Sequence, residues 1–115
     1  MKNALFIIRS DPRTSPRPAE AIRIAAGVGT WKKVAISVYL REAAVLALSE
    51  YVDEFVDEDN YSRYLPIVGE FGRPVYVQKS APLLREIGDP TLRFEEITDD
   101  QLAKLAAEHN CVLNF

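Results

Sequence analysis

Cysteine and histidine are both scarce in this chain, with one residue of each type among 115. A single cysteine cannot form a disulfide within the chain, and a structural zinc site takes four Cys or His ligands. The composition therefore excludes a disulfide-stapled domain and a structural zinc domain, and we expect no bound metal. Without disulfides, a reducing, cytoplasmic location is the expectation.

Long hydrophobic runs and an excess of positive charge are also missing. No apolar run approaches the ~20 residues that a membrane span requires. The net charge is -3 and the isoelectric point is near 5.2, whereas a nucleic-acid-binding domain normally carries a basic face. We therefore expect neither a membrane nor a nucleic acid as a partner. Residues 1–3 lead into a short strand-like run with no small-residue cleavage site, so we expect no secretory signal.

What the chain does contain is typical of a globular protein. Hydrophobic residues make up 48% and charged residues 27% of the sequence. The length is that of one domain with a single apolar core. No internal repeat, low-complexity tract or linker interrupts it, so we predict a single domain over residues 1–115.

Short apolar segments alternate with helical patterns along the whole chain. The predicted strands are 4–8, 34–40, 75–78, 94–97 and 111–115. The predicted helices are 18–29, 43–48, 61–71 (kinked or begun at Pro66), a short one ending near Gly88, and 99–108 after an N-cap at Thr98. Such alternation favours parallel pairing through helical crossovers. We predict a three-layer α/β/α domain with a mainly parallel five-stranded sheet.

Ligands of open parallel sheets collect at the carboxyl ends of the strands, where loops lead into helices. Three predicted loops qualify, over residues 10–17, 41–42 and 78–82. They carry an anion-friendly set of side chains beside two carboxylates: Ser10, Arg13, Thr14, Ser15, Arg41, Lys79 and Ser80, with Asp11 and Glu42. One interpretation is a small-anion or partner site, and the other is a set of solvated loops and helix caps.

Cys111 begins the last predicted strand, which places it at the amino edge of the sheet, away from those loops. A reactive thiolate needs a helix N-terminus or a nearby cation to lower its pKa. Cys111 instead follows the C-terminal end of a helix. We therefore predict a buried, structural cysteine, with His109 on the surface at the helix end.

Two further segments resemble known binding loops only in part, and neither has the residues that such a loop requires. Residues 27–30 contain two glycines but lack the lysine and the spacing of a phosphate-binding loop. Residues 57–60 begin like a calcium loop. However, Ser62 stands where that loop has its glycine, and Val68 where it has its bidentate Glu.

Four segments resemble the DsrE/DsrF/DsrH family. The apolar opening at 5–8 runs into a Ser/Pro/Thr-rich loop, and residues 38–45 read as an apolar strand, a polar-acidic pair, a small residue and Val. Residues 76–88 are similar to the third-strand loop and the short helix of the family. The aliphatic ending at 111–115 closes on Phe, as in DsrF-like chains. Within the family, the chain is most similar to the DsrF/TusC-like subunits of sulfur-relay complexes.

The resemblance implies an oligomer that takes part in passing persulfide sulfur between proteins. The partners would be copies of the chain in a trimer or hexamer, or sister DsrE/DsrH-like subunits, with no cofactor. In the catalytic subunit the carrier is a Cys in the third-strand loop, and Gln78, Lys79 and Ser80 occupy that place here. An amide, an amine and a hydroxyl cannot hold a persulfide. The resemblance thus implies a non-catalytic subunit.

Two alternatives stay open. The first is a small-anion- or nucleotide-binding enzyme that uses the loop over residues 10–17 with Glu42 as its base. The second is a sulfurtransferase that uses Cys111. For the subunit hypothesis, an apolar partner face is expected. Its candidates are aromatic, although most aromatics at such spacing are simply core: Tyr51, Phe55, Tyr61, Tyr64, Phe71 and Phe115.

Overall fold

A five-stranded sheet forms the centre of the computed structural model, which describes residues 2–115; Met1 lies outside the described residues. The strands run in the order β4-β3-β2-β1-β5, and all four pairings are parallel. Their bounds are β1 Lys2–Ile8, β2 Val34–Leu40, β3 Val75–Gln78, β4 Phe94–Ile97 and β5 Cys111–Asn114. The predicted fold class is confirmed, with a sheet that is parallel throughout.

The two long strands, β1 and β2, are central because their apolar residues point to both faces of the sheet. In β1, Phe6 and Ile8 belong to the core on one face, and Leu5 and Ile7 to the core on the other. All four are buried. A strand of this kind must be covered on both sides, which is the physical basis of the layered arrangement.

One face of the sheet is thickly covered. It carries α1 (Arg17–Thr30), α2 (Glu58–Gly69) and two short 3-10 helices, Glu42–Leu48 and Pro82–Glu86. The first 3-10 helix is buried over its last five residues, as its apolar sequence predicts. The large core on this side includes Phe6, Ile22, Val38, Leu40, Val45, Leu48, Tyr61, Leu65 and Val77.

The opposite face is covered by α3 (Asp99–Ala107) alone. Its Leu102, Leu105 and Ala106 pack on a small core formed by Leu5, Ile7, Tyr39 and Ile97. A nine-residue helix is about 14 Å long, whereas β4 and β5, which it connects, lie about 19 Å apart across four strand spacings. The helix therefore leaves β5 uncovered, and all four residues of that strand are exposed.

Most helix boundaries agree with the sequence prediction, and α2 is the exception. It begins at Glu58 rather than at Tyr61, ends at Gly69 rather than at Phe71, and contains Pro66 within it. The predicted start was wrong because the acidic residues 58 and 59, which looked like loop, favour the positive N-terminal end of the helix. No helix in residues 2–115 combines the length and the apolar character that crossing a membrane takes.

Gly27 and Gly29, the two glycines of the rejected phosphate-loop motif, lie within α1. At Gly29 a β-carbon would come within 2.2 Å of the Phe71 ring. The absent side chain thus lets Phe71 pack closely against the last turn of α1. Here glycine serves helix packing, in agreement with the rejection of a phosphate loop.

The capping box of α3 allows a test of how much the start of this helix contributes to the stability of the fold. The Thr98 hydroxyl accepts a hydrogen bond from the Gln101 amide at 3.2 Å, and the Gln101 side chain accepts one from the Thr98 amide at 2.8 Å. We expect Thr98→Ala to lower the free energy of unfolding by about 1 kcal/mol, measured by urea denaturation. The exposed Thr91→Ala is the control and should change it by less than about 0.5 kcal/mol. Equal effects of the two variants would contradict the capping role.

Candidate functional site

The loops that follow β1, β2 and β3 lie along one edge of the sheet, the carboxyl edge. Backbone hydrogen bonds tie successive loops to neighbouring strand ends. The Arg9 amide donates to the Phe115 carbonyl at 3.0 Å, and the Arg41 amide donates to the Ile8 carbonyl at 3.0 Å. The Lys79 amide donates to the Ile97 carbonyl at 2.9 Å. The residues that the sequence singled out therefore share one edge, but they form separate groups along it.

Asp11 and Arg13 form a closed group within the first loop. The Arg13 guanidinium donates to both Asp11 carboxylate oxygens, with Nη2 to Oδ2 at 2.8 Å, and the Arg13 amide donates to Oδ1 at 2.9 Å. These hydrogen bonds hold the pKa of Asp11 below its usual value and raise the pKa of Arg13. Because the folded-state pKa is the lower one, the pair stabilises the fold above the unfolded pKa of Asp11, and the stabilisation is lost as the pH falls through the folded value.

Thr14 and Ser15 complete the turn that leads into α1. Both backbone amides donate to the Asp11 carbonyl, at 3.2 and 2.9 Å. The Ser15 hydroxyl accepts from the Arg17 amide at 3.2 Å. These two residues therefore order the loop, and the charge of Arg13 is already compensated within it.

Glu42 and Gln78 join the loops after β2 and β3. The Gln78 side-chain oxygen accepts a hydrogen bond from the Glu42 amide at 2.9 Å. Glu42 has a φ of 54°, a left-handed conformation that is uncommon outside glycine. Gln78 thus helps to hold a backbone that a non-glycine residue adopts reluctantly. At the position where the resemblance places the family's carrier thiol, the side chain has a structural contact.

Arg41 and Lys79, the other basic residues of these loops, differ in whether an acidic side chain lies near their charge. Arg41 is half-buried, and its Nη2 lies 3.8 Å from Oδ1 of Asp99 at the start of α3. Lys79 is exposed, and so is Ser80, whose amide donates to a Glu96 carboxylate oxygen at 3.4 Å. The predicted site residues around Arg41 and around Lys79 therefore do not form one cluster.

A cleft of about 530 Å³ lies at the same edge, beside the ends of β1 and β5. The residues that line it are Arg9, Ser10, Arg17, Asn114 and Phe115. Of these, only Ser10 was among the predicted site residues. Arg9 precedes the first predicted loop and Arg17 is its last residue, but the pairing of β1 with β5, which brings Phe115 to them, is not visible in the sequence.

Tyr39 is a second feature that sequence reasoning missed. Its hydroxyl is buried and has no hydrogen-bond partner among residues 2–115. Burial raises the pKa of this phenol, and the charges of Arg41 and Asp99 are close enough to act on it. Its position within an apolar strand offered no signal for this, because tyrosine is ordinary in buried strands.

Cys111 lies near the opposite, amino edge, paired with Ala4 of β1. The predicted edge is correct, but the prediction of a buried cysteine was wrong: the residue is exposed. The reason is that α3 does not extend over β5. His109 is half-buried rather than on the open surface, with its Nδ1 2.6 Å from the Leu105 carbonyl oxygen at the end of α3.

Comparison with known proteins settles the fold. The crystal structure of the ychN protein from E. coli superposes with a TM-score of 0.79 over 100% of both chains, at 22% sequence identity. The chain has the ychN fold. This likeness confirms the predicted fold class, an α/β domain around a parallel five-stranded sheet. No family model matches the sequence, and no curated protein matches it either.

The link between the second and third loops can be tested through Gln78. We expect Gln78→Ala to lower the free energy of unfolding by about 1 kcal/mol, because the Glu42 amide loses its acceptor. The neighbouring Lys79→Ala is the control and should have almost no effect, since this side chain is exposed. Chemical denaturation of the two variants measures the difference. If Gln78→Ala is as stable as the unsubstituted protein, the hydrogen bond contributes nothing to the fold.

Proposed function

We propose that this protein is a non-catalytic subunit of the DsrE/DsrF-like type, which acts through protein–protein contacts in intracellular sulfur relay. The observation that carries the proposal is the chemistry of the third-strand loop. Gln78, Lys79 and Ser80 stand where the family resemblance places a carrier cysteine. The Gln78 amide group is engaged with the neighbouring loop. No atom of these three side chains can accept sulfur as a persulfide.

The position of the one thiol supports the same proposal. Cys111 is level with Ala4 and hence with Ile36, whereas Gln78 lies one residue beyond the pair Val77–Leu40. The two sites thus differ by five residues along the strands, roughly 16 Å at the usual rise. They are also three strands apart across the sheet. A thiol at Cys111 cannot stand in for a carrier at the third-strand loop.

Alkylation of Cys111 tests whether this thiol is chemically activated. We expect iodoacetamide to modify Cys111 completely in the native protein, because the residue is exposed. The rate should be no faster than in the urea-unfolded chain, measured by mass spectrometry at the same pH. A native rate several times the unfolded rate would indicate an activated thiolate and favour the sulfurtransferase alternative.

A subunit of a relay complex needs a surface for its partners, and we place it at the β5 edge, the strand Cys111–Asn114. Val112 and Leu113 are exposed to 38% and 37%, and they point to opposite faces of the sheet because they are adjacent in a strand. In residues 2–115, β5 pairs with β1 alone, so no strand lies on its outer side. An uncovered, apolar edge strand is a natural template for pairing with another chain.

The aromatic residues expected to form an apolar partner face are mostly part of the core instead. Tyr61 is buried, and Phe55, Tyr64, Phe71 and Phe115 are half-buried against the large core. For these residues the core interpretation holds, because they pack on the α1 side of the sheet. Only Tyr51 is exposed, at 75%, and it lies in the loop before α2.

The oligomeric state tests the surface. We expect the purified protein to form an oligomer, with copies of itself or with a co-purified chain of the same fold that carries a loop cysteine. The double variant Val112→Lys and Leu113→Lys should release it as a monomer, because charge on an edge strand opposes pairing. Native mass spectrometry and light scattering measure the mass of the particle.

The matched control is Tyr51→Lys, which adds one charge at a more exposed apolar residue of another surface. It should keep the oligomer intact. If the Tyr51 variant dissociates and the β5 variant does not, the interface lies on the loop before α2. A monomeric unsubstituted protein with no co-purified chain would contradict the proposed function itself.

A further inference from the structure

A cleft of about 180 Å³ lies between α2 and the loops over residues 49–52 and 91–92. Its walls are mainly apolar, and the residues that form them include Ala47, Val52, Leu65, Pro66 and Leu92. An engineered apolar cavity of about 150 Å³ is known to bind benzene, whereas sites for larger ligands begin at about 300 Å³. The cleft therefore has room for one small ring and is too small for a nucleotide.

Tyr61 lines this cleft and has a hydroxyl without a partner. The residue is 2% exposed, and its hydroxyl has no hydrogen-bond partner among residues 2–115. Phe55 packs against the Tyr61 ring edge to face, with centroids 5.8 Å apart. Burial raises the pKa of Tyr61, and the charges of Asp57 and Asp11 add to this, so the hydroxyl remains a neutral donor. A buried hydroxyl of this kind costs free energy, which a ligand that forms a hydrogen bond with it would recover.

Pro66 affects a second polar group beside the same cleft. Proline has no backbone N–H, so the hydrogen bond from residue 66 to the Ser62 carbonyl cannot form within α2. Ser62 and Pro66 both line the cleft. Apolar walls with a small number of available polar groups are typical of small-molecule sites.

The charge at the cleft favours an uncharged ligand. Within residues 2–115, its lining contains one charged side chain, that of Glu50. A carboxylate at the opening repels phosphates and carboxylates. The apolar walls in turn disfavour a cation, because a charged group loses its hydration there.

We propose that this cleft binds a small, uncharged aromatic molecule with one hydroxyl or N–H group, of about the size of phenol. The ring lies between the apolar walls, and the polar group forms a hydrogen bond with the Tyr61 hydroxyl. The proposal goes beyond the proposed function and does not depend on the β5 edge. Either can therefore fail without the other.

Phenol is the probe, and toluene, which has a methyl group in place of the hydroxyl, is the comparison ligand. Both are titrated into the full chain, and backbone amide NMR spectra give the site and the dissociation constant. We expect saturable shifts around the cleft, in residues 49–52, 61–66 and 91–92. Tyr61→Phe should weaken phenol binding about fivefold, because one hydrogen bond is lost, and should leave toluene binding unchanged.

Two further variants serve as controls. Tyr64→Phe removes a hydroxyl from the same helix at a half-buried residue that does not line the cleft, and it should bind phenol as the unsubstituted protein does. Val52→Phe adds a ring at the wall of the cleft and should weaken binding of both ligands more than tenfold. Because the Tyr61 hydroxyl has no partner, the urea midpoint of Tyr61→Phe should equal or exceed that of the unsubstituted protein.

The proposal is overturned if neither ligand causes saturable shifts, or if the shifts lie away from the cleft. Equal phenol binding by Tyr61→Phe and Tyr64→Phe would also contradict it, since the Tyr61 hydroxyl would then take no part. This comparison of two conservative variants decides the question even if Val52→Phe does not fold. Phenol binding at the cleft of a monomeric protein would support this inference while the proposed function failed.

Discussion

Burial of β1 and β2 on both faces is the constraint on which the rest of this structure depends. Phe6 and Ile8 contribute to one core and Leu5 and Ile7 to the other, so neither face of the sheet can be left to water. Each of these side chains is worth about 1.5–3 kcal/mol when fully buried. The helices are placed by this demand: α1, α2 and the 3-10 helices cover one side, and α3 covers what it can of the other.

The unequal covering of the two faces connects the fold to the proposed function. Because α3 is shorter than the distance between the strands it joins, the sheet keeps one uncovered strand, β5. The same geometry exposes Cys111 near the amino edge and leaves Val112 and Leu113 open to a partner. The exposure of Cys111 and that of the β5 edge, which we propose as the partner surface, thus trace to one arrangement of elements, a short last helix followed by an edge strand.

Along the carboxyl edge, acidic neighbours compensate part of the positive charge. Asp11 holds Arg13, and Asp99 lies opposite Arg41, so two of the residues that the sequence offered as an anion site have acidic neighbours. The residues that the sequence offered as one anion site are therefore divided among separate groups along this edge.

The order and type of the elements follow from local sequence patterns. Apolar runs such as 34–40 and the cap at Thr98 predicted the parallel sheet, the edge that carries the loops and the edge that carries Cys111. Which side chains are covered and which groups are paired depends instead on the packing of distant segments. The exposure of Cys111, the burial of Tyr61, the Gln78–Glu42 hydrogen bond and the Arg9–Arg17 cleft each depend on residues distant in the chain. Local periodicity carries no information on such contacts, because strand order and helix reach are set by the packing of the whole domain.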